Sequence, residues 1–211
     1  LKNVISSGKY ELVPGERFGE IFHLSGDGNE EKVFELNLIN NASIGDWSGK
    51  IQRSTWMELN LWGWRSSRLA ASPKIQAEQG WGGLAVEEKF ANEFAANDGN
   101  SYRRKATIIS YDEFITELAW PSDDVNTTRE QKLKDPERGI VDPDGLYGQS
   151  GYLQRKHIGI AEDRTINSYR FNNFIITRYA DVLLMYAEAC ANTNDNDGLQ
   201  YLQVVQQRAG S

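Results

Sequence analysis

Apolar side chains recur at spacings of three and four residues through Tyr179, Val182, Leu183, Tyr186, Ala187 and Cys190. That pattern predicts one helix with a single apolar stripe. A short Asn/Asp/Gly knot follows, in which Asp195 or Asp197 can cap the next helix. There Leu199, Leu202 and Val204 or Val205 continue a stripe, and Arg208 stands near the end, where the helix dipole favours a cation. A connection of about four to six residues makes the two helices antiparallel neighbours. Such a pair cannot bury both of its sides alone, so it is expected to stack on further helices upstream.

Elsewhere the period shifts to two. After a turn cluster from Ser25 to Asn29, the alternation of Phe34, Leu36 and Leu38 with Glu35 and Asn37 predicts a half-buried strand, the apolar residues facing the core. In "STWMELNLWGWRSS", Trp56, Glu58, Asn60, Trp62 and Trp64 share one parity and Met57, Leu59 and Leu61 the other. If extended, this stretch buries its aliphatic face and presents three indoles among polar groups. A glycine turn then leads to a short amphipathic helix carrying Leu84, Phe90 and Phe94, with a polar stop at Asn97 to Asn100. Residues 112–152, with "DPERGIVDPDGLYG" at their centre, read as a long irregular surface excursion. The opening "LKNVISSGKYEL" reads as the tail of a helix whose beginning lies upstream, with Gly8 just past its C-cap.

Composition narrows the classes. At 211 residues a full core is attainable, and 39% hydrophobic with 25% charged residues is the balance of a folded globular chain. No apolar run approaches the ~20 residues that a membrane-spanning helix requires. A net charge of -7, with Arg103-Arg104-Lys105 as the longest basic run, argues against a nucleic-acid partner. One cysteine, Cys190, excludes an intrachain disulfide framework and a cysteine-rich metal site.

The candidate chemistry is aromatic. Indoles stack on the apolar C–H faces of sugar rings while amide, carboxylate and guanidinium neighbours take the hydroxyls. Trp47, Trp56, Trp62 and Trp64, with Asn60 and Arg65 as polar partners, are the candidate ligand-binding residues. Any single tryptophan is more often a core residue, but a face shared with Glu58 and Asn60 is hard to bury. Trp81 reads as scaffold, and Trp120 as either. Asp27, Asn29 and Glu31 alternate as calcium ligands can, but without the rest of an EF-hand loop they read as a turn. His23 and His157 have no ligand-spaced partner. Cys190 lies on a buried stripe with no activating histidine, and no nucleophile elbow or phosphate-cradling loop is present. With 30 acidic residues, pairs such as Asp123-Asp124 or Glu30-Glu31 arise by chance and do not mark a glycosidase. Arg178, Asp181 and Glu188 are assigned to packing. No cofactor and no metal is expected.

"RYADVLLMYAEAC" followed by "GLQYLQVVQQRAG" is similar to the C-terminal helical hairpin of the SusD/RagB family. "VISSGKYELVP" resembles that family's link out of its helical repeats, "GNEEKVFELNLI" the strand that follows, and "GWGGLAVEEKFANEFAANDGNSYRR" its Gly-Trp-Gly turn, helix and Asp-then-Arg segment. The resemblance implies a mainly α fold of tetratricopeptide-like helix pairs with long irregular loops and a few short strands. In this chain, residues 1–12 would end a helical repeat, 13–170 form an irregular binding region and 171–211 a helical hairpin. It further implies a surface-exposed outer-membrane lipoprotein of Bacteroidota. Such a protein captures glycans, without catalysis, for a SusC-like TonB-dependent transporter. Family members are longer than this chain, so the leading repeats and the lipid anchor are expected upstream of Leu1. Two alternatives stay open beside glycan capture at the transporter: a peptide-capturing lid, or a glycoside hydrolase. A scaffold whose helix pairs mediate only protein contacts stays open as well.

Overall fold

The computed structural model describes residues 1–38, 86–110, 113, 126, 128, 131, 152–156 and 172–210. Among them, helices predominate and strands are few and short. Helix α1 (Lys2–Ile5) is one turn, after which Gly8 takes a left-handed φ of 63°. An extended lead-in carries Val13 into a 3-10 helix, Gly15–Phe22, and a second short one, Leu24–Gly26. Strand β1 (Lys32–Leu36) follows. Helices α2 (Glu88–Asp98) and α3 (Tyr102–Thr107) run directly into β2 (Ile108–Ser110), which pairs antiparallel with β3 (Tyr152–Gln154). Strand β4 (Phe174–Arg178) pairs antiparallel with β1 and passes without a break into α4 (Tyr179–Asn192), and α5 (Gly198–Ala209) closes the order.

The core begins in the 3-10 helix. Phe18, Ile21 and Phe22 recur at three and four residues and bury one stripe with Val13, against which Ala106 of α3 and Ile175 of β4 pack. Fully burying side chains of this size is worth about 1.5–3 kcal/mol each. The sequence pattern predicts no helix over Gly15–Phe22, although its apolar spacing is helical. Close approach fixes its start and the end of the short 3-10 turn that follows: a Cβ on Gly15 would overlap the Tyr102 ring, and one on Gly26 the carbonyl oxygen of Glu20.

The hairpin of α4 and α5 forms where the 3.6-residue period places it. Ala180, Val182, Leu183 and Cys190 are buried. Gly198 meets Cys190 and Ala187, and Tyr201 meets Tyr186 edge-on with ring centroids 5.3 Å apart, so contacts run backwards along α4 as they advance along α5. The helices are therefore antiparallel. Asp197 does occupy the N-cap position of α5, but its carboxylate makes no cap; it accepts from the Tyr186 hydroxyl (2.9 Å), Lys2 (3.2 Å) and the Gln200 amide (2.6 Å). The predicted stripe of α5 is corrected by the structure. Leu199, Leu202 and Val204 are exposed while Val205 is partly buried, and α5 packs through Gly198 and Ala209, both buried, with Tyr201 against Tyr186. Because a Cβ on Gly198 would stand 2.7 Å from that of Cys190 and 2.9 Å from the Ala187 backbone, Gly198→Ala is expected to force the helices apart at a cost of about 1–3 kcal/mol. Urea unfolding of the variant checks this, and an unchanged midpoint would contradict the packing described.

Strand β1 forms, but with its faces exchanged. Phe34 and Leu36 are about half exposed, while the Glu35 side chain keeps only 10% of its surface and Lys32 only 2%. Register shifts on either side of Phe34 break the simple alternation. The body-facing side of the ribbon is a polar seam. Lys32 lays its aliphatic stem inward and donates to the carbonyl oxygen of Ile21 at 2.7 Å, and burial pushes its ammonium pKa down. Opposite, Phe174 and Ile176 of β4 are also exposed. In α2 the buried residues are Ala91 and Asp98, whereas Phe90, predicted for the apolar face, is half exposed and meets the Phe94 ring at a tilt, centroids 5.4 Å apart; Leu84 lies outside the described residues.

Candidate functional site

Trp47, Trp56, Asn60, Trp62, Trp64 and Arg65 fall in residues 39–85 and lie outside the described residues, as do Trp81, Trp120, His157 and the Asp123-Asp124 pair. The structure instead describes the frame on either side of them. Three polar centres build that frame; the first two join stretches of chain that are distant in sequence, and the third is a local corner.

The first is Glu31, which is fully buried. Its carboxylate accepts from Arg178 at the end of β4 (3.1 Å), from both terminal nitrogens of Arg208 on α5 (2.5 and 3.1 Å), and from the backbone N–H of Val13 (2.9 Å). Its carbonyl oxygen accepts from the N–H of Tyr179 at 2.8 Å, the first residue of α4. The two guanidiniums lie over aromatic rings, Arg208 4.7 Å from the centroid of Phe18 and Arg178 5.7 Å from that of Phe22. Asp181 accepts from the Arg178 N–H at 2.7 Å and so satisfies the open start of α4. Arg178 and Asp181 therefore serve packing and capping.

The second centre lies where the ribbon's two strands diverge. Both carboxylate oxygens of Asp27 accept from the N–H of Asn173 at 3.0 Å. Glu35 accepts from the N–H of Gly28 (2.7 Å) and from the side-chain amide of Asn173 (2.8 Å). Asn173 in turn accepts from the N–H of Leu38 at 3.0 Å. Asn29 accepts from the N–H of Glu31 at 3.1 Å, a turn-forming bond. The alternating Asp27, Asn29 and Glu31 are thus a turn whose oxygens are already engaged. Among the described residues no group of three His, Cys, Asp or Glu side chains is placed to hold a metal ion. His23 and Cys190 are both buried in the body.

The third centre is the corner between α2 and α3. Glu87 caps α2 by accepting from the N–H groups of Lys89 (3.0 Å) and Phe90 (2.6 Å). Gly99 turns the chain with a left-handed φ of 51°, and Ser101 caps α3 through the N–H of Arg104 at 3.0 Å. Asp98 takes two parallel bonds from Arg103, both 2.7 Å, which hold its carboxyl below the usual range. Arg104, 4% exposed, donates to both oxygens of Glu113 (2.5 and 2.6 Å) and to the carbonyl oxygen of Gly99 (2.7 Å). The Arg104 guanidinium brings the Glu113 carboxyl down to about 2, so this tie is complete above the ordinary glutamate range and is released only as pH falls through that value. Sequence reading missed Arg104, Glu113 and Asn173. Their significance lies in partners that local spacing does not reveal.

No helix among the described residues is long and apolar enough to cross a membrane. No curated protein matches the chain. Among solved structures, the fold is similar to surface glycan-binding protein A from Bacteroides thetaiotaomicron in complex with laminarihexaose: TM-score 0.68, 23% identity, 99% of this chain and 41% of that one. It is also similar to surface glycan-binding protein A from Bacteroides fluxus, with TM-score 0.66, 20% identity, and 99% and 38% covered. A SusD homolog from Bacteroides thetaiotaomicron VPI-5482 gives 0.57, 17%, and 99% and 38%. The chain thus spans about two fifths of the length of the solved relatives it matches. The model of the SusD family matches residues 62–211, well over half of the sequence and including the α4–α5 hairpin, and the chain belongs to the SusD family.

Proposed function

We propose that this protein captures glycans at the bacterial cell surface without cleaving them and delivers them to a SusC-like TonB-dependent transporter in the outer membrane. The observation that carries the reading is a fold shared over 99% of the chain with a surface glycan-binding protein solved around laminarihexaose. Trp47, Trp56, Trp62 and Trp64 supply the stacking surfaces, and Asn60 and Arg65 the hydrogen bonds to hydroxyls. The α4–α5 hairpin is one tetratricopeptide-like pair. The exposed Leu184 and Met185 of α4 and Leu199, Leu202 and Val204 of α5 suit stacking on a neighbouring pair.

The test is affinity electrophoresis of the purified protein through a panel of polysaccharides, with calorimetric titration of laminarihexaose. Retardation by at least one glycan, with no reducing sugar released, is the expected result. Binding of peptides in place of every glycan would favour the peptide-capturing reading. Hydrolysis lost on changing a single Asp or Glu would favour the enzyme.

A further inference from the structure

Helix α2 turns a strip of flat side chains toward solvent. Phe90 and Phe94 stand one turn apart on it, with ring centroids 5.4 Å apart, and Phe90 keeps half of its surface exposed. The guanidinium of Arg103, near the start of α3, lies over the Phe94 ring at 5.5 Å, so the row runs phenyl, phenyl, guanidinium in steps of similar length. Neither the helix nor the core calls for a phenyl at position 90. Lys, Glu or Ala would favour the helix more, and the buried residues of α2 are Ala91 and Asp98. A lone exposed phenyl is ordinary, whereas aromatic rings beside arginine are the composition enriched at the centre of binding surfaces.

The guanidinium is anchored from its buried side and open on the other. Its Nε and Nη2 donate to the two oxygens of Asp98, both at 2.7 Å, and the Asp98 side chain is 5% exposed against 47% for Arg103. Among the described residues Nη1 has no hydrogen-bond partner, which leaves its two N–H groups for a ligand. Asp98 matches the charge of Arg103, and Glu93 that of Lys89 at 3.9 Å, so an anion finds no excess positive charge here. A neutral hydroxyl oxygen suits the open N–H groups, and the apolar C–H face of a sugar ring suits the phenyls. Three groups are too few for a protein interface, which takes about 20–30 residues a side.

We propose that Phe90, Phe94 and Arg103 form a contact surface for a neutral hexose chain, whose C–H faces stack on the phenyl rings and whose hydroxyls accept from Nη1. This rests on the glycan-capture reading and adds to it a contact separate in sequence from the candidate tryptophans. Calorimetric titration of the intact protein with three neutral hexasaccharides of glucose (laminarihexaose, cellohexaose and maltohexaose) and with an acidic oligogalacturonate tests it. Phe90→Ala, at a half-exposed ring, is expected to keep the wild-type circular dichroism and to weaken the neutral chain that binds by about tenfold, as for the loss of one aromatic contact. Phe90→Trp restores the flat surface and is expected to bind at least as tightly as wild type. Arg103→Lys keeps a cation for Asp98 but has no Nη1, and is expected to lose about tenfold as well. Lysine is chosen because alanine would strand the buried carboxylate of Asp98.

Wild-type affinity in F90A overturns the proposal while the glycan reading stands. So does F90W binding no better than F90A, the pattern of a phenyl that acts only through packing. Tighter binding of the oligogalacturonate than of every neutral chain overturns the assignment to neutral sugars. Loss of the helical signal in F90A also overturns the proposal, because Phe90 would then belong to the body. If none of the three neutral chains binds the wild type, the strip fails as their site, and the polysaccharide panel decides the glycan reading separately.

Discussion

Glu31→Ala lowers the stability of the fold by about 3–5 kcal/mol, the usual cost of removing one partner from a buried ionic group. Glu31 has no exposed surface, and Arg208 and Arg178 keep only 7% and 18% of their side-chain surface. Alanine would leave both guanidiniums without their shared anion, and the N–H of Val13 without its acceptor. A marginal domain has about 5–15 kcal/mol in hand, so the variant sits near the edge of folding. The penalty belongs to the orphaned charges and not to any intrinsic strength of the triad. Replacing all three members by apolar side chains of similar volume should therefore cost much less. Urea melts of E31A and of the triple apolar variant measure both. If E31A unfolds at the wild-type midpoint, the buried triad is not what joins lead-in, ribbon and hairpin.

Trp62→Ala combined with Trp64→Ala is expected to abolish retardation in any polysaccharide gel that retards the wild type. Indoles are the side chains most enriched among residues whose truncation costs 2 kcal/mol or more in binding. Two such losses weaken affinity by about a thousandfold, at about 1.4 kcal/mol per decade. Folding should be retained, because the described body packs through Val13, Phe18, Ile21 and Phe22 and none of these is changed. Unchanged migration with unchanged circular dichroism would remove these two indoles from the ligand surface.

The hairpin was legible in the sequence because helical packing is local. Val182, Leu183 and Cys190 bury as their spacing requires. The strand at 32–36 was legible as an element but not in its facing. Its orientation is decided by Lys32 reaching Ile21 and Glu35 reaching Gly28 and Asn173, bonds that alternation cannot anticipate. Tertiary burial of a polar seam overrode the apolar pattern. Glu31 looked like one acidic residue among many, since what singles it out lies 147 and 177 residues away. The indole parity at Trp56, Trp62 and Trp64 is a pattern of the sequence alone, and those residues lie outside the described ones.

The same separation has a consequence for biogenesis. When Glu31 is added to the growing chain, Arg208 is still 177 residues from being made. The carboxylate must stay hydrated until the α5 segment emerges, because burying it earlier would strand an unpaired charge. Closing so long a loop is slow. Nascent chains halted before Arg208 should therefore stay protease-sensitive and engage chaperones, because only α5 completes the interior begun at the 3-10 helix.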